Sequence, residues 1–159
     1  MCCKEKIEIK FIKTHPDAVL PKCNHDGEEV GDTGYDLVCV EDTLIPFKGD
    51  DIVPIGIKVG YITPGYWFSI QGRSGLGFKF SLEPHLGIID NQYRGDLGVK
   101  IFNFGTTSYL FKKGTKVAQL VVYKLLQSEI SWTEETTETE RGEKGYGSSD
   151  FPYNNKIKP

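Results

Sequence analysis

Apolar residues recur at every second position in short runs along this chain, without the three-to-four spacing of a long amphipathic helix. Ile7, Ile9 and Phe11 alternate with Glu8 and Lys10. Runs rich in β-branched and aromatic residues cover 35–40, 52–62, 66–71, 98–104 and 117–126, and this chemistry predicts strands. Turn residues separate them, as in Asn24-His25-Asp26-Gly27, Lys48-Gly49-Asp50-Asp51, Thr63-Pro64-Gly65 and Lys113-Gly114. One short helix fits, over 76–80, after the Arg73-Ser74-Gly75 turn. Many short strands with regular turns predict an all-β sandwich or jelly roll. The most apolar run, 117–123, is expected at the centre of a sheet.

Hydrophobic residues make up 38% of 159, enough for one domain with a core. The pattern stops after Leu126. Residues 133–140 read Thr-Glu-Glu-Thr-Thr-Glu-Thr-Glu, too polar to bury a face, and a glycine- and serine-rich stretch follows. The expected organisation is a domain over 1–132 and a mobile arm over 133–159. A net charge of −3 argues against non-specific nucleic-acid binding, so an anion would be held by a few local cations and N–H groups. Cys2, Cys3, Cys23 and Cys39 have neither disulfide-framework nor zinc spacing. No apolar run is long enough to span a membrane, so a reducing, cytoplasmic setting is the expectation.

Candidate chemistry centres on Gly87-Ile88-Ile89-Asp90-Asn91-Gln92-Tyr93-Arg94-Gly95. Two β-branched residues, a carboxylate, an aromatic and an arginine between glycines read as a hairpin with chemistry at its tip. Asp90 is either a general base or a turn aspartate bonded to its own backbone. Tyr93 is either a ring beneath a ligand or a strand aromatic. Arg73, Ser74 and Gly75 suit phosphate, as a turn feeding a helix start, or form a surface loop with Ser74 as N-cap. Asp36 is a supporting carboxylate or a polar edge residue. Gln119 sits within the most apolar strand and must be bonded, as structural glue or as a ligand. His15, His25 and His85 are isolated and read as structural or exposed.

These segments combine with Gly34-Tyr35-Asp36-Leu37, Gly72-Arg73-Ser74-Gly75-Leu76-Gly77, Gly114-Thr115-Lys116-Val117-Ala118-Gln119-Leu120 and Arg141-Gly142-Glu143-Lys144-Gly145-Tyr146-Gly147-Ser148-Ser149. In this order the five resemble the motifs of the trimeric dUTPases, from about Gly31 to Ser149. The resemblance implies a jelly-roll homotrimer with sites at subunit boundaries, hydrolysing dUTP to dUMP and pyrophosphate with Mg²⁺. It implies that Asp90 orients a water against the α-phosphorus and that Tyr93 gates the sugar. Ile88, Ile89 and Gly98 would meet uracil, and Arg73, Ser74, Gly75 and Gln119 the phosphates. Asp36 would order magnesium-bound water or a neighbouring arginine, with the metal held by substrate phosphates and water. Arg94 would support the turn. In the arm, Arg141, Tyr146, Gly147, Ser148 and Ser149 would close over uracil and γ-phosphate. Two residues depart from the family pattern: Tyr146 stands for the usual phenylalanine and Lys144 for the usual glycine. Glu83-Pro84-His85-Leu86 replaces a stretch where many members carry asparagine. The alternatives are a dCTP deaminase-like enzyme of the same fold and a non-catalytic nucleotide-binding regulator.

Overall fold

The structure, a computed structural model, describes residues 7–25, 31–140 and 142. The chain divides into two compact units at Leu126/Gln127. The described residues of the first form ten strands and one short helix. These are β1 (Ile9–Lys13), β2 (Gly34–Val38), β3 (Thr43–Ile45), β4 (Asp50–Ile62), β5 (Tyr66–Gln71), α1 (Ser74–Phe80), β6 (Leu82–Pro84), β7 (Gly87–Ile89), β8 (Asp96–Asn103), β9 (Tyr109–Phe111) and β10 (Lys116–Lys124). One sheet runs β1-β4-β8-β6, a second β2-β10-β5-β7, and β3 pairs with β9; all pairs are antiparallel. This is the jelly-roll expectation realised. β10 lies between β2 and β5, the central place its apolar run predicts.

Alternation decides which face is inward. Val53, Ile55, Ile57 and Val59 of β4 are buried, and so are Leu97, Val99 and Ile101 of β8. Phe68, Phe111, Leu37 and Leu120 fill the space between the sheets. β4 is long because it serves two partners. Residues 50–54 pair with β8 and 57–62 with β1, and after an irregularity between Pro54 and Lys58 the pairing with β8 resumes at Lys58 and Asp96. Gly56 lies in that irregularity, with a φ of 69° that suits glycine and a Cβ position 2.6 Å from His15 Cβ.

Two expectations need correction. The Gly87–Gly95 segment is not a two-stranded hairpin: β7 pairs with β5 in one sheet, whereas β8 pairs with β4 and β6 in the other. The turn is therefore a corner between sheets. The helix begins at Ser74, two residues earlier than the pattern suggests, and Arg73 rather than Ser74 occupies the N-cap position, in extended conformation without a side-chain cap. Arg73 O instead accepts from the N–H groups of Leu76 and Gly77.

In the second unit, residues 127–140 carry no strand or helix and are exposed. Gly142 N–H donates to Thr139 O at 3.1 Å. Arg141, Lys144, Tyr146, Gly147, Ser148 and Ser149 lie outside the described residues.

Candidate active site

Four elements meet at a polar cleft of about 300 Å³ lined by Asn24, Asp32, Gly34, Asp36, Arg73, Ser74, Gly75 and Gln119, among others. β2 delivers Asp36 and β10 delivers Gln119, which face each other in the ladder. Asp36 is largely buried, with a side chain 10% exposed, and would be costly there without cations. Its Oδ1 lies 3.1 Å from Arg73 Nε and its Oδ2 lies 2.6 Å from Lys116 Nζ. The second contact is an ion pair without hydrogen-bond alignment, so Oδ2 is buried and held by charge alone. A second nitrogen of the Arg73 guanidinium donates to Lys116 O at 3.3 Å. The guanidinium is thus gripped on two sides while 32% of the side chain remains exposed.

Gln119 Nε2 donates to Gly72 O at 2.8 Å and so fixes the residue that leads into Arg73. The same side chain lies so close over Gly34 that a Cβ there would collide with Gln119 Oε1. The amide ties strand to turn and lines the cleft. Ser74 and Gly75 begin α1, where N–H groups have no intrahelical acceptor. At the rim, His25 donates its backbone N–H to Asp32 Oδ2 at 3.3 Å and sets Nδ1 3.2 Å from the same oxygen. The hydrogen bond from His25 holds the Asp32 carboxyl below its ordinary value.

The other candidate residues gather at the corner between β7 and β8. Asp90 is exposed at the end of β7, and its carbonyl accepts from Tyr93 N–H at 3.0 Å, closing a β-turn. Asn91, which sequence reasoning passed over, anchors this turn. Its Nδ2 faces the carbonyls of Tyr66, Thr63 and Ile62 at 2.8, 3.0 and 3.4 Å. Arg94 folds back to donate to Asn91 O and Tyr93 O. Tyr93 donates its hydroxyl to Asp96 O at 3.0 Å, and 43% of it is exposed. Ile88 is 64% exposed on β7, an edge strand, while Ile89 packs against the core. Gly98 lies on β8 opposite Pro54.

The structure thus brings Asp36, Arg73, Ser74, Gly75 and Gln119 into one cleft, and Ile88, Ile89, Asp90 and Tyr93 onto one corner. No hydrogen bond or ion pair among the described residues joins the two groups. The described residues hold no cluster of three or more His, Cys, Asp or Glu suited to a metal. None of their helices is long and apolar enough to cross a membrane. Asn24, Asp32 and Lys116 were missed as neighbours of the cleft. Asn24 reads in sequence as a turn residue, and Lys116 as one more charge on a strand.

A family model described as dUTPase matches residues 24–150. The deoxyuridine 5'-triphosphate nucleotidohydrolase of Fowl adenovirus A serotype 1 is 36% identical over 143 residues, covering 89% of this chain and 77% of that one. That of Wolinella succinogenes is 35% identical over 147 residues, covering 91% and 95%. Among solved structures, a mutant of the Staphylococcus bacteriophage 80alpha dUTPase with dUpNHpp superposes with a TM-score of 0.78 at 26% identity, over 91% of this chain and 99% of that one. A phage phi11 dUTPase, described as coordinating a structural Mg(II) ion, shares the fold with a TM-score of 0.71 at 24% identity, over 82% and 99%.

Proposed function

The chain belongs to the dUTPase family, and we infer from the site it carries that it hydrolyses dUTP to dUMP and pyrophosphate. The observation that carries this reading is the Arg73 guanidinium, oriented by Asp36 and the Lys116 carbonyl beside the free start of α1. Such an arrangement receives a phosphate chain with a charge-assisted bond and backbone donors. Gln119 holds the cleft in register.

Asp90 accepts the proton of a water attacking the α-phosphorus. Its exposure and its place at a turn pinned by Asn91 suit a base that must face a bound ligand. The edge backbone of β7 at Ile88 and Ile89, with Gly98 of β8, matches the edge of uracil. Cytosine would set an amine against a fixed donor and leave it unpaired. Tyr93 packs under the deoxyribose and leaves no room for a 2′-hydroxyl. Arg141, Tyr146, Gly147, Ser148 and Ser149, the last of the five motifs, take part in binding the nucleotide.

Mg²⁺ bound to the triphosphate would offset charge developing on the phosphates. Both Asp36 oxygens already meet cations, so this carboxylate fits a place beyond the metal's water rather than a direct ligand. The separation of cleft and corner within one chain supports a homotrimer in which different subunits complete one site. The dCTP deaminase and the non-catalytic regulator are not favoured, since neither accounts for the full ordered set of motifs.

A panel of dUTP, dCTP, dTTP and UTP with Mg²⁺ tests the reading by pyrophosphate release and product identity. The expected outcome is dUMP and pyrophosphate from dUTP, with little from the others. Ammonia release from dCTP, or no turnover of dUTP, overturns it.

A further inference from the structure

Lys116 and Gln119 stand three residues apart in one strand, and strict alternation would send them to opposite faces of the sheet. The register of β10 against β2 breaks this rule. Val38 faces Lys116 and Leu37 faces Ala118, so Val117 is an extra, unpaired residue. Val117 and Ala118 are both fully buried in succession, the mark of a bulge. The bulge resets the parity, and the Lys116 side chain reaches the cleft residues that Gln119 also serves. Its Nζ lies 2.6 Å from Asp36 Oδ2 and donates to Asn24 Oδ1 at 2.5 Å. Its carbonyl accepts from Arg73.

Charge counting gives this placement a consequence. Asp36, Arg73 and Lys116 together carry one net positive charge. Without the ammonium, Asp36 and Arg73 form a neutral pair, and a largely buried carboxylate is left with one counter-ion. The guanidinium would then be spent on Asp36. We propose that Lys116, turned inward by the bulge at Val117, is a positioning residue that shares the charge of Asp36 and so leaves Arg73 free to bind the polyphosphate. It also tethers the Asn24 rim of the cleft. This rests on the dUTP reading above but concerns how tightly the phosphate end binds, not whether hydrolysis occurs.

The test measures binding by calorimetry with Mg²⁺ in an Asp90→Asn background, where dUTP survives the titration, while wild-type pyrophosphate release is followed separately. Lys116→Met is expected to weaken dUTP by about tenfold, the size of one charge-assisted hydrogen bond. Affinity for dUMP, which lacks the distal phosphates, should change far less, and Lys116→Arg should restore most of the loss. Should Lys116→Met fail to fold, Lys116→Gln carries the same comparison. Unchanged dUTP affinity, equal weakening of dUTP and dUMP, or an arginine variant no better than methionine overturns the proposal. Failure of the wild-type chain to release pyrophosphate from dUTP overturns the hydrolysis reading instead, and the binding ratios still decide the role of Lys116.

Discussion

The cleft around Asp36 and the corner at Asp90 are built in opposite ways. Asp36 is largely buried in a sheet, with each oxygen against a cation and with the facing Gln119 bonded to Gly72 O. Asp90 is exposed, and its ordering comes from the backbone turn and from Asn91 next to it. The oxygens of Asp36 are engaged by Arg73 and Lys116, whereas the Asp90 carboxyl is exposed on a fixed turn and open to a ligand water. This contrast underlies the proposal that Asp36 gives electrostatic support and Asp90 takes the proton.

The largest effect should come from exchanging charge for shape at the corner. Asp90→Asn is expected to keep the fold and nucleotide binding and to lose about 10²–10⁴-fold in kcat. Pyrophosphate release near the wild-type rate would remove Asp90 as the base and with it the contrast. A mixing experiment sharpens the same point. Chains lacking 141–159 should fold, because residues 1–126 form a compact unit with its own core, but turn over dUTP poorly. Mixed with Asp90→Asn chains after subunit exchange, they should regain part of the activity if base and arm come from different subunits. Mixtures no better than the two parents would mean that each chain completes its own site.

The sequence made much of this architecture legible, because period-two alternation survives wherever a strand is long and one face is buried. The bodies of β4 and β8 are of this kind, whereas β5 and β10 were legible from their β-branched and aromatic residues. The three-residue strands β3, β6 and β9 are too short to show a period, and Pro84 argues against the strand that contains it. The corner was misread as a hairpin because strand partners are a non-local matter: Ile89 pairs with Phe68, not with a residue of β8. At the site, the motif order named Asp36, Arg73 and Gln119 together, and they share a cleft. Lys116 escaped because a bulge changes the parity on which face assignment depends. Asn91 escaped because its carbonyl partners lie 25 to 29 residues away.

That anchor supplies an intermediate effect. Asn91→Ala removes the amide that donates to the carbonyls of Tyr66 and Thr63, at a cost of about 1–3 kcal/mol by urea unfolding. Because the turn carries Asp90, kcat should fall more than dUTP affinity, which the cleft supplies. Equal losses in both would say that cleft and corner are mechanically one unit.

The smallest effect concerns the rim of the cleft, at Asp32. Its pKa lies below the ordinary 3.8, first because of the side-chain hydrogen bond from His25, with burial working weakly the other way. A carboxylate with a depressed folded-state pKa adds stability that is present above about 3.8 and lost as pH falls through the lower folded value. The pair is solvent-exposed, so global stability should barely register the change. The local titration should register it. By carboxyl carbon NMR, Asp32 is expected to titrate below 3.8, and His25→Ala should move the midpoint up toward that value. Asp17 and Asp42, depressed by Lys113 and Lys112 at pairs outside the cleft, should not respond to that substitution. A shift of all three would trace the effect to a general change in surface charge, and a static Asp32 would detach the histidine from the rim.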